Sequence, residues 1–152
     1  MKTEKNNSLV FKGVDIVKCF LEVGDGLKDK DSIDFSVEAK VFFPEKEPEG
    51  FKVIMSAKIA LDDEGFFLMV VGIGAFKIKG EVTEDTKKKL VNVNAAAIMF
   101  PYIRAYITTI TSCSPHFVDP LVMPARFFHG DLEEVQNSEF EDESYLNRSI
   151  EN

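Results

Sequence analysis

The chain has no tryptophan, two cysteines and two histidines among its 152 residues, and these scarcities exclude a good deal of chemistry. Cys19 and Cys113 are far apart and form no C-x-x-C pair, so a disulfide framework is not expected; reduced thiols in a cytoplasmic protein fit better. His116 and His129 add no close paired spacing with either cysteine, and tetrahedral zinc sites are usually marked by such pairs. His116 does lie near Cys113 and Asp119, but no motif builds a nucleophile–base–acid trio there, and a loop histidine is the plainer reading. Positive charge is also short: 18 Lys and Arg against 26 Asp and Glu leave a formal charge of −8. Nucleic acid is therefore not an expected partner, because phosphate binding needs clustered cations. The polar start, "MKTEKNNS", lacks the apolar core of a signal peptide. No apolar run reaches the ~18 residues of a membrane span, so membrane insertion is not expected.

Phosphate and calcium motifs are missing as well. "GIGAFKIKG" has glycines but no lysine–serine pair leading into a helix, and "LDDEG" lacks the ligand spacing of a calcium loop. No catalytic set emerges; the expectation is a protein that is not an enzyme and needs no cofactor.

What the chain does contain is strand alternation followed by helix. Ile33, Phe35, Val37, Ala39, Val41 and Phe43 alternate with polar residues, the period-two mark of a strand with one buried face. Phe51, Val53, Met55, Ala57, Ile59 and Leu61 repeat it, and "PEKEPEG" between the two runs predicts a turn joining antiparallel neighbours. Residues 66–76, "FFLMVVGIGAF", are apolar on both faces, so this strand needs cover on both sides, from helices or from another subunit. Gly72 and Gly74 predict a bulge or a close backbone approach. "LVFKGVDIVKCFLEV" reads as another strand with a kink at Gly13.

From Thr83 the pattern becomes helical. A threonine followed by Glu84 and Asp85 suits a helix start. Pro101 predicts a long helix that starts or kinks near it, because an interior proline costs ~3 kcal/mol. Beyond it, Ile103, Tyr106, Ile107 and Ile110 form a stripe, with Arg104, Thr108 and Thr111 on another face. The helix should stop before Pro115. The expected fold is α+β: a four-stranded antiparallel meander sheet, this long helix, and a shorter C-terminal helix. One domain over residues 1–136 precedes an acidic, flexible tail over 137–152. Surplus apolar area on the two-faced strand predicts oligomerisation.

The chain is rich in soft apolar side chains, with fourteen phenylalanines and five methionines. Core packing is the plain explanation for most of them. The alternative is that some line grooves for extended polypeptide, a task suited to aromatic and methionine side chains.

"NAAAIMFPYIRAYITTITS" followed by "PLVMPARFF" resembles the signature of the SecB export chaperones. Phe100, Pro101, Tyr102 and Arg104 match the start of that family's helix, and Thr108, Thr109 and Ser112 its polar continuation. Gly74, Phe76, Ile78 and Gly80 resemble its glycine-bearing strand, and the likeness covers most of residues 9–136. It implies a cytosolic, ATP-independent holdase for unfolded or precursor polypeptides, assembled as a homotetramer, a dimer of dimers. On this resemblance Tyr102, Tyr106, Leu121, Met123, Phe127 and Phe128 would border the peptide groove. Val70, Gly72, Gly74, Phe76, Ile103, Ile107 and Ile110 would serve the oligomer interface, and Pro101 would start the long helix. The SecA motor is an implied partner, yet the acid-bearing docking pattern of typical members is absent from "DIVKCFLEVGDGL", where it would fall. A client-dedicated relative, for example one serving an antitoxin, is the alternative within the family. Outside it stand an adaptor for one folded partner and a small enzyme or ligand-binding domain.

Overall fold

The computed structural model describes residues 9–24, 34–60, 65–113 and 132–135. Four strands carry most of it: β1 (Leu9–Val23), β2 (Asp34–Phe42), β3 (Gly50–Ala60) and β4 (Phe66–Ile78). A two-residue strand, β5 (Glu133–Glu134), joins them, and the sheet runs β1-β4-β3-β2-β5. β2, β3 and β4 form the expected antiparallel meander. The sheet as a whole is not a pure meander: β1 pairs with β4 rather than with its chain neighbour β2, and β5 lies parallel to β2. Alternation within a strand says which face is buried but not which neighbour it takes. The C-terminal helix and the acidic tail lie outside the described residues.

β1 departs from regular pairing twice, between Phe11 and Gly13 and between Ile16 and Lys18. Gly13 sits at φ 129°, a conformation a side-chain-bearing residue rarely adopts, so the kink expected there is a glycine-dependent bulge. Gly72 and Gly74 make no bulge. They lie on one face of β4, where they let a helix approach the sheet closely.

That helix is continuous from Glu84 to Ser112 in three parts: α1 (Glu84–Lys89), a π-helical segment (Leu90–Ala95) and α2 (Ala96–Ser112). Thr83 caps α1, its hydroxyl oxygen accepting from the Thr86 N–H at 3.2 Å, with Glu84 and Asp85 in the first turn. Pro101 neither starts the helix nor ends it; it lies inside α2. Its ring faces solvent, and the irregular π turns come earlier, over Leu90–Ala95. The missing N–H therefore removes one intrahelical bond on the wet side, while the packed side continues past it.

The packed side is Ala96, Met99, Phe100, Ile103, Ile107 and Thr111, each three or four residues from another member of the stripe. Tyr106 and Ile110 flank this stripe and are half-buried. Thr111 belongs to the buried face rather than to the polar one, because Ile103, Ile107 and Thr111 are steps of four. Its hydroxyl donates to the Ile107 carbonyl at 2.8 Å, so its burial leaves no unpaired polar group.

The main core lies between this stripe and one face of the sheet, including Val53, Met55, Leu68, Val70 and Phe76. Each large side chain sealed there contributes roughly 1.5–3 kcal/mol. A smaller cluster occupies the other face: Phe42, Ile54, Val71, Ile73 and Val135, with Val17 and Met69 partly buried against it. The two-faced character of β4 is thus largely met within one chain.

Candidate polypeptide-binding surface

Five aromatic rings cross the helix-facing side of the sheet in sequence. Tyr102 on α2 lies 5.1 Å from Phe11 of β1, and Phe11 lies 5.3 Å from Phe76 of β4. Phe76 stacks on Phe51 of β3 at 5.2 Å and 10°, and Phe51 is 6.0 Å from Phe43, just past β2. Strand alternation explains the row, since Phe11, Phe76 and Phe51 occupy facing register positions on adjacent strands. Phe76 and Phe51 are buried and Phe11 is half-buried, while Tyr102, 53% exposed, and the half-buried Phe43 bring the two ends to the surface.

At the Tyr102 end, the surface continues to Tyr106 and Cys19. Burial holds the Tyr106 phenol above its ordinary titration range, helped by a hydrogen bond with the Cys19 thiol and by that group's charge. Cys19 itself is exposed, on the β1 side of the helix.

At the Phe43 end, a groove of about 500 Å³ opens between β2 and the first helical turns. Val41, Phe43, Val91 and Leu132 supply its apolar walls; Lys87, Lys88, Glu84 and Glu134 stand around it. The Lys87 ammonium lies 5.0 Å from the centre of the Phe43 ring. A second depression of about 240 Å³ shares Phe43, Glu84 and Lys87 and runs on toward Pro48 and Val82. Together they make a furrow with an aromatic side chain at its middle and charges along its sides. Such a surface suits apolar side chains on an extended chain whose backbone stays wet.

The residues expected to border a groove are divided. Tyr102 and Tyr106 are close together on α2 and reach the surface. Leu121, Met123, Phe127 and Phe128 lie outside the described residues, as do His116 and His129. Among the residues expected at an oligomer interface, Val70, Phe76, Ile103 and Ile107 are fully or almost fully buried within the chain. Gly72 and Gly74 lie beneath Ile103 and Met99, and Ile110 alone of that set keeps part of its side chain at the surface. Apolar area remains elsewhere, on Phe20 (48% exposed), which packs edge-on against Phe67, and on Val93 (56%).

The Phe43 furrow was not foreseen. Its sequence signal is slight: a second phenylalanine after Phe42, at the point where Pro44 ends the strand, and a leucine ahead of two acids at 133 and 134.

Among the described residues, no cluster of three or more His, Cys, Asp or Glu side chains suits a metal ion. The 29-residue helical stretch Glu84–Ser112 is, by length and composition alone, long and apolar enough to cross a membrane, which the apolar runs of the sequence had not suggested. Its buried stripe lies against the sheet, so part of its apolarity serves the core.

No family model matches the chain. An uncharacterized protein of Methanocaldococcus jannaschii, MJ0357, is 26% identical over 120 residues, covering 74% of this chain and 76% of that protein. The fold is that of a SecB-like chaperone. The solved structure of Mycobacterium tuberculosis Rv1957, a SecB-like chaperone in complex with a ChAD peptide from the Rv1956 HigA1 antitoxin, superposes with a TM-score of 0.62. That match covers 78% of this chain and 88% of the other at 17% identity, which speaks for architecture rather than for shared activity. A Streptococcus agalactiae protein of unknown function, at 10% identity and a TM-score of 0.47, covers 77% of this chain and 97% of its own. That score is too low to carry an argument.

Proposed function

We propose that this chain is a non-enzymatic, ATP-independent chaperone that holds non-native polypeptide on apolar surface furrows. The observation that carries the reading is the surface itself: a SecB-like fold whose aromatic row emerges at Tyr102 and Phe43, beside an open groove. A furrow of shallow apolar contacts suits chains of varied sequence, since each buried client side chain contributes roughly 1.5–3 kcal/mol without demanding one partner geometry.

A restricted client set, or one dedicated client, is favoured over general export. The fold neighbour Rv1957 is described in complex with an antitoxin peptide, and the acid-bearing pattern associated with SecA docking is absent from residues 15–27 here. The working form is a cytoplasmic homo-oligomer, a tetramer built from dimers. Phe20, Phe67, Val93 and Ile110 offer side-chain surface for its contacts.

Binding to a permanently unfolded protein tests the reading. Reduced, carboxymethylated α-lactalbumin should co-elute with this chain in gel filtration without ATP, and native α-lactalbumin should not. Failure to bind the unfolded form would leave an adaptor for one folded partner as the better account. Co-elution that also requires SecA would restore the export reading.

A further inference from the structure

β5 is an unusual piece of sheet. It covers two of the nine residues of β2, running parallel to it beside Lys40 and Val41. Its neighbours alternate as a strand should: Leu132 turns to the helix-side core and Val135 to the cluster on the opposite face. Two polar contacts beyond the ladder hold the segment. The Leu132 N–H donates to Asn92 Oδ1 at 3.0 Å, and the Val135 N–H donates to the Val41 carbonyl at 2.8 Å. Asn92 belongs to the π-helical segment, so an irregular turn of the helix presents an amide oxygen to an extended backbone. Leu132, Glu134, Asn92 and Val41 also line the 500 Å³ groove. The segment therefore forms part of the wall of the furrow while sitting on the edge of the strand behind it.

We propose that Leu132–Val135 is a resident stand-in for client: an extended segment of the chain itself that occupies one end of the polypeptide-binding furrow and is displaced when a client strand enters. This rests on the holdase reading above and assigns the furrow its occupant in the unliganded chain. The geometry supplies what an incoming strand needs. The Val41 carbonyl is an edge acceptor, Asn92 Oδ1 accepts a second backbone N–H, and the place of Leu132 takes an apolar side chain. The same groups now serve the clasp, so clasp and client are mutually exclusive there. A short parallel pairing at an edge with both glutamates exposed is the kind of element that opens locally without unfolding the domain. Client affinity is then reduced by the fraction of time the clasp is closed. Asn92 serves clasp and client alike, whereas the Leu132 side chain anchors the clasp alone, so weakening Leu132 should tighten client binding.

Two measurements decide the matter, both on the full chain with reduced, carboxymethylated α-lactalbumin as probe. In the first, amide hydrogen exchange follows Val135 with and without probe. Displacement predicts that Val135, protected in the free chain, exchanges faster when probe is bound. In the second, Leu132→Ala, which weakens the clasp and no client contact, should bind the probe several-fold more tightly, whereas Asn92→Ala, which removes the acceptor from clasp and client alike, should change affinity little. A purely structural role for Leu132 predicts the opposite sign, weaker binding. Bound probe with Val135 still protected would overturn the clasp and leave the holdase reading standing. No binding of probe by the folded wild-type chain would overturn both. If either variant fails to fold, the exchange measurement on the wild-type chain still decides.

Discussion

A β-carbon built on Gly72 would lie 2.5 Å from the δ-methyl of Ile103, closer than such atoms approach in folded proteins. Gly72 is thus the floor on which α2 rests, and Val14 and Met99 close the same spot at 3.3 and 3.4 Å. Strand propensity alone would favour alanine at this position, but the crowding decides the sign. Gly72→Ala should lower stability by about 1–3 kcal/mol in urea titration. Adding Ile103→Val, which deletes the offending methyl, should recover part of that loss, and the double-mutant cycle reads the coupling directly.

The Phe51–Phe76 stack links the two central strands beneath the helix. Both rings are almost completely buried, so Phe51→Ala or Phe76→Ala should each cost about 3–5 kcal/mol. The double substitution should cost less than the sum, because each removes the other's ring contact. Thermal denaturation of the three variants checks both statements.

Tyr102 should behave in the opposite way. It is about half exposed and rests on Phe11 from outside, so Tyr102→Ala should cost about 1 kcal/mol or less. Its effect should fall on client binding, weakening retention of an unfolded probe several-fold. A loss of stability with unchanged binding would remove Tyr102 from the client surface.

Tyr106 makes stability depend on alkaline pH. Burial, with the Cys19 contact, raises its phenol above the ordinary value. The folded chain therefore keeps this proton where the unfolded chain has begun to lose it. The stabilisation is complete below about pH 10, the unfolded value, and is lost as pH rises through the folded value. Tyr106→Phe removes the group that titrates. Its urea midpoint should decline less steeply above about pH 10 than that of the wild-type chain.

Much of the fold could be read from residue order. Alternation located β2, β3 and β4 to within a residue or two at their starts, and Thr83 with its two acids located the helix start. What alternation could not convey was pairing: nothing in Leu9–Val23 states that it joins β4 across the sheet rather than β2. Pro101 misled for a physical reason. A proline's cost depends on whether its side of the helix is packed, and here that side faces solvent. The surface was less legible. Tyr102 and Tyr106 stood out by type and spacing, but an apolar stripe does not distinguish a residue that packs on its own sheet from one that meets another subunit. Ile103 and Ile107 turn out to serve the first purpose. The Phe43 furrow depends on Val41, Val91 and Leu132 converging from three separate stretches, which no local pattern announces.

The central claim is that this fold holds non-native chains without ATP. Light scattering of a denatured, slowly folding protein diluted into buffer, with and without this chain, tests it most directly, with the mass of the chain's own assembly measured in parallel. The account predicts suppression of aggregation near stoichiometric ratios by an assembly of about four chains. Unchanged aggregation in the presence of the folded oligomer would contradict it.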